Sequence, residues 1–167
     1  MSKKAQIIST DLMISVVIFI LLSSFVFLTI FRYQAKINEN IASQDINVKA
    51  LQISDLLVKS SGEPSNWEDD TSKLNTPVLA SRDRSLYISK ITEFLDLDYN
   101  LTKEKFNVEN LDFYFALKEL NGNLVEINEE DVKKGLNPGL NATNVVTIKR
   151  IVLYGGEEKH AEFTLWK

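Results

Sequence analysis

The sequence predicts an α+β protein: a long N-terminal helix, membrane-spanning and then amphipathic, packed on a small C-terminal antiparallel sheet of about four strands. Three observations predict it. Leu12 to Phe31 is a 20-residue run without charge, glycine or proline. Apolar residues then recur at helical spacing as far as Leu57. The last third of the chain alternates apolar and polar residues between glycine-bearing turns.

The apolar run comes first. At ~1.5 Å per residue a helix of this length spans the ~30 Å hydrocarbon core of a bilayer. A cleaved secretory signal has a shorter apolar core, of roughly 7–15 residues, and a small-residue cleavage site after it. Here "RYQAKINEN" follows, so the run stays in the protein. The helix continues, because no glycine or proline occurs between Arg32 and Lys59. Ile46, Ala50, Ile53 and Leu57 follow helical spacing, with Ile37 and Ile41 one to three turns earlier. One helix from about Ser9 to Ser60 results, apolar all round in its first half and one-sided in its second. Gly62 and Pro64 end it, in the order expected past a helix C-terminus.

Residues 61–82, with "WEDD" at 67–70, read as loop. Arg84 to Asp96 reads as a helix with Tyr87, Ile88, Ile91, Phe94 and Leu95 on one face and Asp83 or Ser85 as its N-cap. "LDFYFALKEL" at 111–120 alternates as a strand, Asn121-Gly122 turns it, and "LVEI" returns. Asn128 to Gly135 has the residue order of a short capped helix: Asn, then acids, then Lys133 and Lys134, then Gly. "GLNPGLNATN" is loop, and "VVTIKRIVLY" and "AEFTLW" flank Gly155-Gly156-Glu157-Glu158 as a second hairpin. The amphipathic half-helix and the half-buried sheet each need a partner, and they serve each other.

Composition removes several function classes. Nineteen basic against 23 acidic residues leave a net charge of −4 and no basic stripe, so no nucleic-acid partner is expected. There is no cysteine, hence no disulfide, thiolate nucleophile or Cys-ligated zinc. His160 is the only histidine, and no nucleophile elbow, zinc-binding helix motif or phosphate-cradling glycine loop occurs. We expect no enzyme, no catalytic residue, no metal and no cofactor. Glu63, Glu68, Asp69 and Asp70 lack calcium-loop spacing and read as a solvated acidic loop. Trp67 and Trp166 read as packing residues rather than sugar platforms.

Orientation across a membrane is nearly balanced, with Lys3 and Lys4 before the run and Arg32 and Lys36 after it. Asn100-Leu-Thr102 and Asn141-Ala-Thr143 are N-glycosylation sequons, which tilt the C-terminal part towards the outside.

The N-terminus carries a resemblance. A short basic stretch from Met1 to Ala5, Gln6 directly after it, Ser9-Thr10-Asp11-Leu12 and the apolar run resemble archaeal type IV pilin-like proteins with a class III (prepilin-type) signal. "GEPSNWED" at 62–69, "LDFYFAL" at 111–117 and the terminal "IKRIVLYGGEEKHAEFTLWK" are similar to elements of small archaeal pilin-like domains. The resemblance implies a pilin-like fold divided into a leader at 1–5, a hydrophobic transmembrane and assembly helix at 6–31, its amphipathic continuation at 32–60 and a globular head at 61–167. It implies cleavage between Ala5 and Gln6 by a prepilin-type peptidase. Ala5 stands where glycine is more usual, and the acid falls one position later than in the commonest layout.

The cut would free an α-amine on Gln6. At the headgroup boundary Asp11 would then pair with the amine of a staggered neighbour, as a register device for assembly. The plainer alternative is an interfacial Asp that marks where the bilayer begins. Ser15, Ser23, Ser24 and Thr29 are either helix–helix contacts or bond their own preceding turn. The expectation is a pilin-like structural subunit, a minor one, of an archaeal filament or surface appendage. Its partners would be membrane lipid, the peptidase and itself or other pilin subunits, with the head outside the cell membrane. The alternative is a non-polymerising, single-pass anchored binding domain.

Overall fold

The computed structural model describes residues 3–167, and the side chains of all of these except residues 3–9, 35 and 38–42. Met1 and Ser2 lie outside the described residues. The chain divides into two compact units, residues 1–43 and 44–167.

Helix α1 runs from Lys3 to Lys59. It ends within one residue of the expected place, but begins about two turns before Ser9. Lys3 to Ile8 holds no glycine, proline or N-cap residue, so nothing stops the helix from extending backwards. In the first unit α1 is apolar from Leu12 to Phe31. In the second unit its last turns bury Ile46, Ala50, Ile53 and Leu57, the stripe that the spacing predicts.

The second unit is α+β. Two short 3₁₀ turns, Trp67–Asp69 and Thr71–Lys73, follow α1. Then come β1 (Ala80–Arg82), β2 (Ser85–Leu86), α2 (Ile88–Asp96), α3 (Tyr99–Lys105) and β3 (Asp112–Lys118). β4 (Glu126–Ile127), β5 (Glu130–Asp131), β6 (Lys133–Gly135), β7 (Val146–Tyr154) and β8 (Glu157–Trp166) complete it. Six strands form one curled sheet in the order β1-β2-β7-β8-β3-β6, and β4 and β5 pair apart from it. All pairs are antiparallel except β2 with β7, where Ser85 lies opposite Leu153.

The six strands correct the expected four. Arg84 has φ of 57°, which turns the chain tightly between β1 and β2. Its carbonyl accepts from Leu153 N–H at 2.7 Å and its own N–H donates to Val58 O at 2.7 Å. The expected helix therefore starts later, at Ile88, with Tyr87 as an N-cap that makes no side-chain bond. Neither Asp83 nor Ser85 caps it. Tyr87 and Ile88 stay 46% and 47% exposed, while Ile91 and Phe94 are fully buried.

The helix expected at 128–135 is absent. Asn128 and Glu129 both have positive φ, 54° and 70°, as a two-residue hairpin turn demands, and they join β4 to β5. Asn, acids and glycine serve tight turns as readily as helix ends, which is why the pattern misleads. Lys133–Gly135 instead pairs with β3, so "LVEI" is not the long return strand. It makes one bridge, Lys118 opposite Leu124, before leaving the ladder. A Cβ at Gly135 would overlap the Phe113 carbonyl oxygen, so β6 closes on β3 only with glycine there.

The core lies between α1 and the two short helices on one side and one face of the sheet on the other. Phe113, Phe115, Leu117, Ala161, Phe163 and Leu165 supply the sheet face. Phe94 meets Phe115 edge-on at 5.6 Å, and Phe106 meets Phe113 and Phe163 edge-on at 5.8 and 6.1 Å. Arg150 of β7 pairs with Asp55 of α1 at 2.8 Å.

Candidate functional site

The N-terminal unit carries the candidate segment. Thr10–Gln34, 25 residues of α1, is long and apolar enough to cross a membrane. None of these residues is buried: Phe19 and Phe25 are each 70% exposed. Water tolerates single exposed apolar residues but not a continuous cylinder of them. Asp11 is exposed at the N-terminal edge of this cylinder, directly after Thr10 and directly before Leu12. Arg32, Tyr33 and Lys36 close the other edge, all exposed. Tyr33 is a residue that our reading of the sequence passed over. Its signal was an aromatic beside a basic residue just past the apolar run, the pattern of a membrane–water boundary.

Of the hydroxyl residues in the run, Thr29 donates to Phe25 O at 2.8 Å, bonding its own preceding turn. The bond between Ala5 and Gln6 falls within α1, and the side chains of both lie outside the described ones.

In the second unit the two sequons have different fates. Asn100 is exposed on α3, an element the sequence reading missed although Asp98 precedes it as a cap, accepting from Leu101 N at 2.9 Å. Asn141 is exposed in the loop between β6 and β7.

Within the acidic loop, Asp69 and Asp70 find their partners locally. Asp70 accepts from Ser72 N at 3.2 Å and from Ser72 Oγ at 2.5 Å, and pairs with Lys73 at 2.7 Å. The Lys73 bond, then those from Ser72, hold the Asp70 carboxyl down to about 2. Asp69 takes Asn66 Nδ2 at 3.2 Å. Glu68 turns inward, its Oε2 3.6 Å from Nζ of the buried Lys90. That ammonium donates to Ser61 O at 2.5 Å and Ser65 O at 2.6 Å, a tether between α2 and the loop after α1 that no local sequence pattern announces. Among the described residues no group of three or more carboxylates and imidazoles is placed to hold a metal.

Trp67 is fully buried, its Nε1–H donating to Val78 O at 3.1 Å, and Trp166 is buried in β8. His160 is half-buried in β8 between Lys118 and Ile151. These three residues belong to the framework of the fold. Comparison of the chain with family models, with curated proteins and with solved structures finds no match.

Proposed function

We propose that this chain is a pilin-like structural subunit, a minor one, of an archaeal type IV filament or related surface appendage. The observation that carries the reading is the exposed apolar cylinder at Thr10–Gln34, none of it buried, with a carboxylate, Asp11, at its mouth. Burying one of its Leu or Phe side chains is worth roughly 1.5–3 kcal/mol, so the segment as a whole requires an apolar surround. A bilayer supplies that surround before assembly, and neighbouring copies of the same helix supply it afterwards. Cleavage between Ala5 and Gln6 by a prepilin-type peptidase removes Lys3 and Lys4 and leaves an amine that a neighbour's Asp11 can pair. The head then stands outside the membrane.

The second reading is a single-pass anchor that never polymerises. It rests on the same apolar cylinder and needs no partner except lipid.

The N-terminal residue and intact mass of the protein recovered from its native membranes test the proposal. A chain that begins at Gln6 is the expected result, and Asp11→Ala should then leave the protein in the membrane but out of filaments. A chain that still carries Lys3 and Lys4 rejects the subunit reading in favour of the anchor.

A further inference from the structure

Two sequons stand in this chain, and the fold treats them in opposite ways. Attachment of an N-linked glycan needs the Asn amide exposed. It also needs the Thr two residues on to release its hydroxyl, because the transferase reads an unfolded Asn-x-Thr segment.

At the first sequon the second condition fails. Thr102 is fully buried. Its Oγ1 donates to Asp98 O at 2.8 Å, and its N–H donates to the same carbonyl at 2.9 Å, so residue and hydroxyl together form the first turn of α3. Freeing Thr102 means unwinding α3. That helix is locked at both ends: Tyr99 Oη accepts from Phe113 N at 3.1 Å, and Lys103 Nζ reaches Asp112 at 3.0 Å. Phe106, directly after α3, packs edge-on against Phe113 and Phe163. Unwinding the helix therefore opens the aromatic core.

The second sequon lies outside that lattice. Asn141 follows Leu140, which is fully exposed, in a turn closed by Ala142 N–H donating to Gly139 O at 3.0 Å. Thr143 is exposed and is tied only to Lys167: its hydroxyl and its N–H donate to Lys167 O at 3.0 and 2.7 Å, and its carbonyl accepts from Lys167 N–H at 3.0 Å. Releasing these bonds uncovers no apolar surface of the loop, since residues 136–145 contribute nothing to the core.

We propose that Asn141, and not Asn100, is the position at which the folded chain accepts an N-linked glycan. In the reaction Asn141 Nδ2 displaces the pyrophosphate of a lipid-linked oligosaccharide from the sugar C1. The amide loses a proton, the N-glycosidic bond forms, and the lipid pyrophosphate leaves. The inference needs the head to meet such a transferase, but not that the chain assembles into a filament.

The test uses the folded full chain in detergent, a purified single-subunit oligosaccharyltransferase and a lipid-linked oligosaccharide, with occupancy read by glycopeptide mass spectrometry. The same chain denatured in urea and then diluted into the reaction is the control. Folded, Asn141 should be occupied at least about tenfold more than Asn100, because freeing Thr102 opens the core at α3 whereas freeing Thr143 only detaches it from Lys167. Denatured, the two sites should become comparable. Thr143→Ala should abolish modification at Asn141, and Thr143→Ser should restore it without changing the thermal transition. Modification of Asn100 in the folded chain overturns the inference. So does an Asn141 that is modified only after denaturation.

Discussion

At the residue scale, the clearest tension is between burial and charge at Glu162 on β8. Burial pushes its carboxyl up, but the hydrogen bond from Lys118 at 2.9 Å and the charges of Lys118 and Lys149 outweigh burial, and the net direction is down. A carboxyl that is more acidic folded than unfolded stabilises the fold fully above its ordinary value of 4.5. That contribution is lost as pH falls through the folded value. Melting curves of the wild type and Glu162→Gln should therefore differ by about 1 kcal/mol near neutrality, the size of a partly exposed ion pair, and converge on acidification below that range. A gap that stays constant from neutral to acid pH would remove Glu162 from the account. The cross-strand position was readable, since Lys149 and Glu162 fall opposite each other once β7 and β8 are in register. The position of Lys118 was not, because it depends on β3 lying on the far side of β8.

At the element scale, the loop after α1 is held by a charge that belongs to another element. Lys90 lies on the buried side of α2, 2% exposed, and its ammonium gathers Ser61 O, Ser65 O and the Glu68 carboxylate. Glu68 Oε2 is buried and accepts no hydrogen bond from any described residue, so Lys90 alone neutralises it. Removing one partner of such a pair strands the other. We expect Lys90→Met to cost about 3 kcal/mol and Lys90→Met with Glu68→Leu to recover most of that loss, measured as a double-mutant cycle by urea unfolding. If the double variant is no better than the single one, the tether works through the two carbonyls rather than the carboxylate. The sequence placed Lys90 inside a helix but on no apolar face, and its burial follows from the chain that folds over it.

At the scale of the whole molecule, the two units ask for different surroundings. Every buried apolar residue among those described lies at Ile46 or beyond, and no residue of the apolar run from Leu12 to Phe31 is buried. A fragment of residues 44–167 should therefore remain soluble without detergent and melt in one cooperative step, whereas the full chain should need detergent or lipid. Calorimetry and analytical ultracentrifugation of both check this. A fragment that aggregates or melts without cooperativity would show that residues before 44 are needed to complete the core.

What the sequence determined by itself is what local patterning controls. A 20-residue apolar run needs no distant partner to be helical, because its hydrogen bonds are internal to it. The amphipathic stripe through Ile46, Ala50, Ile53 and Leu57, the β7–β8 hairpin at Gly155-Gly156 and the turn at Asn121-Gly122 were legible for the same reason. Tertiary structure decided the short pieces. β1, β2 and β6 have two or three residues each, too few to display a period of two, and they are strands only because β7 and β3 offer them free edges. Asn128-Glu129 became a turn rather than a helix start because Val125 and Val132 share Leu117 as a hydrogen-bond partner. Of the candidate site, the apolar segment and Asp11 could be read directly from the chain. The difference between Thr102 and Thr143 could not, since burial is a property of what packs over a residue and not of the residue's neighbours in sequence.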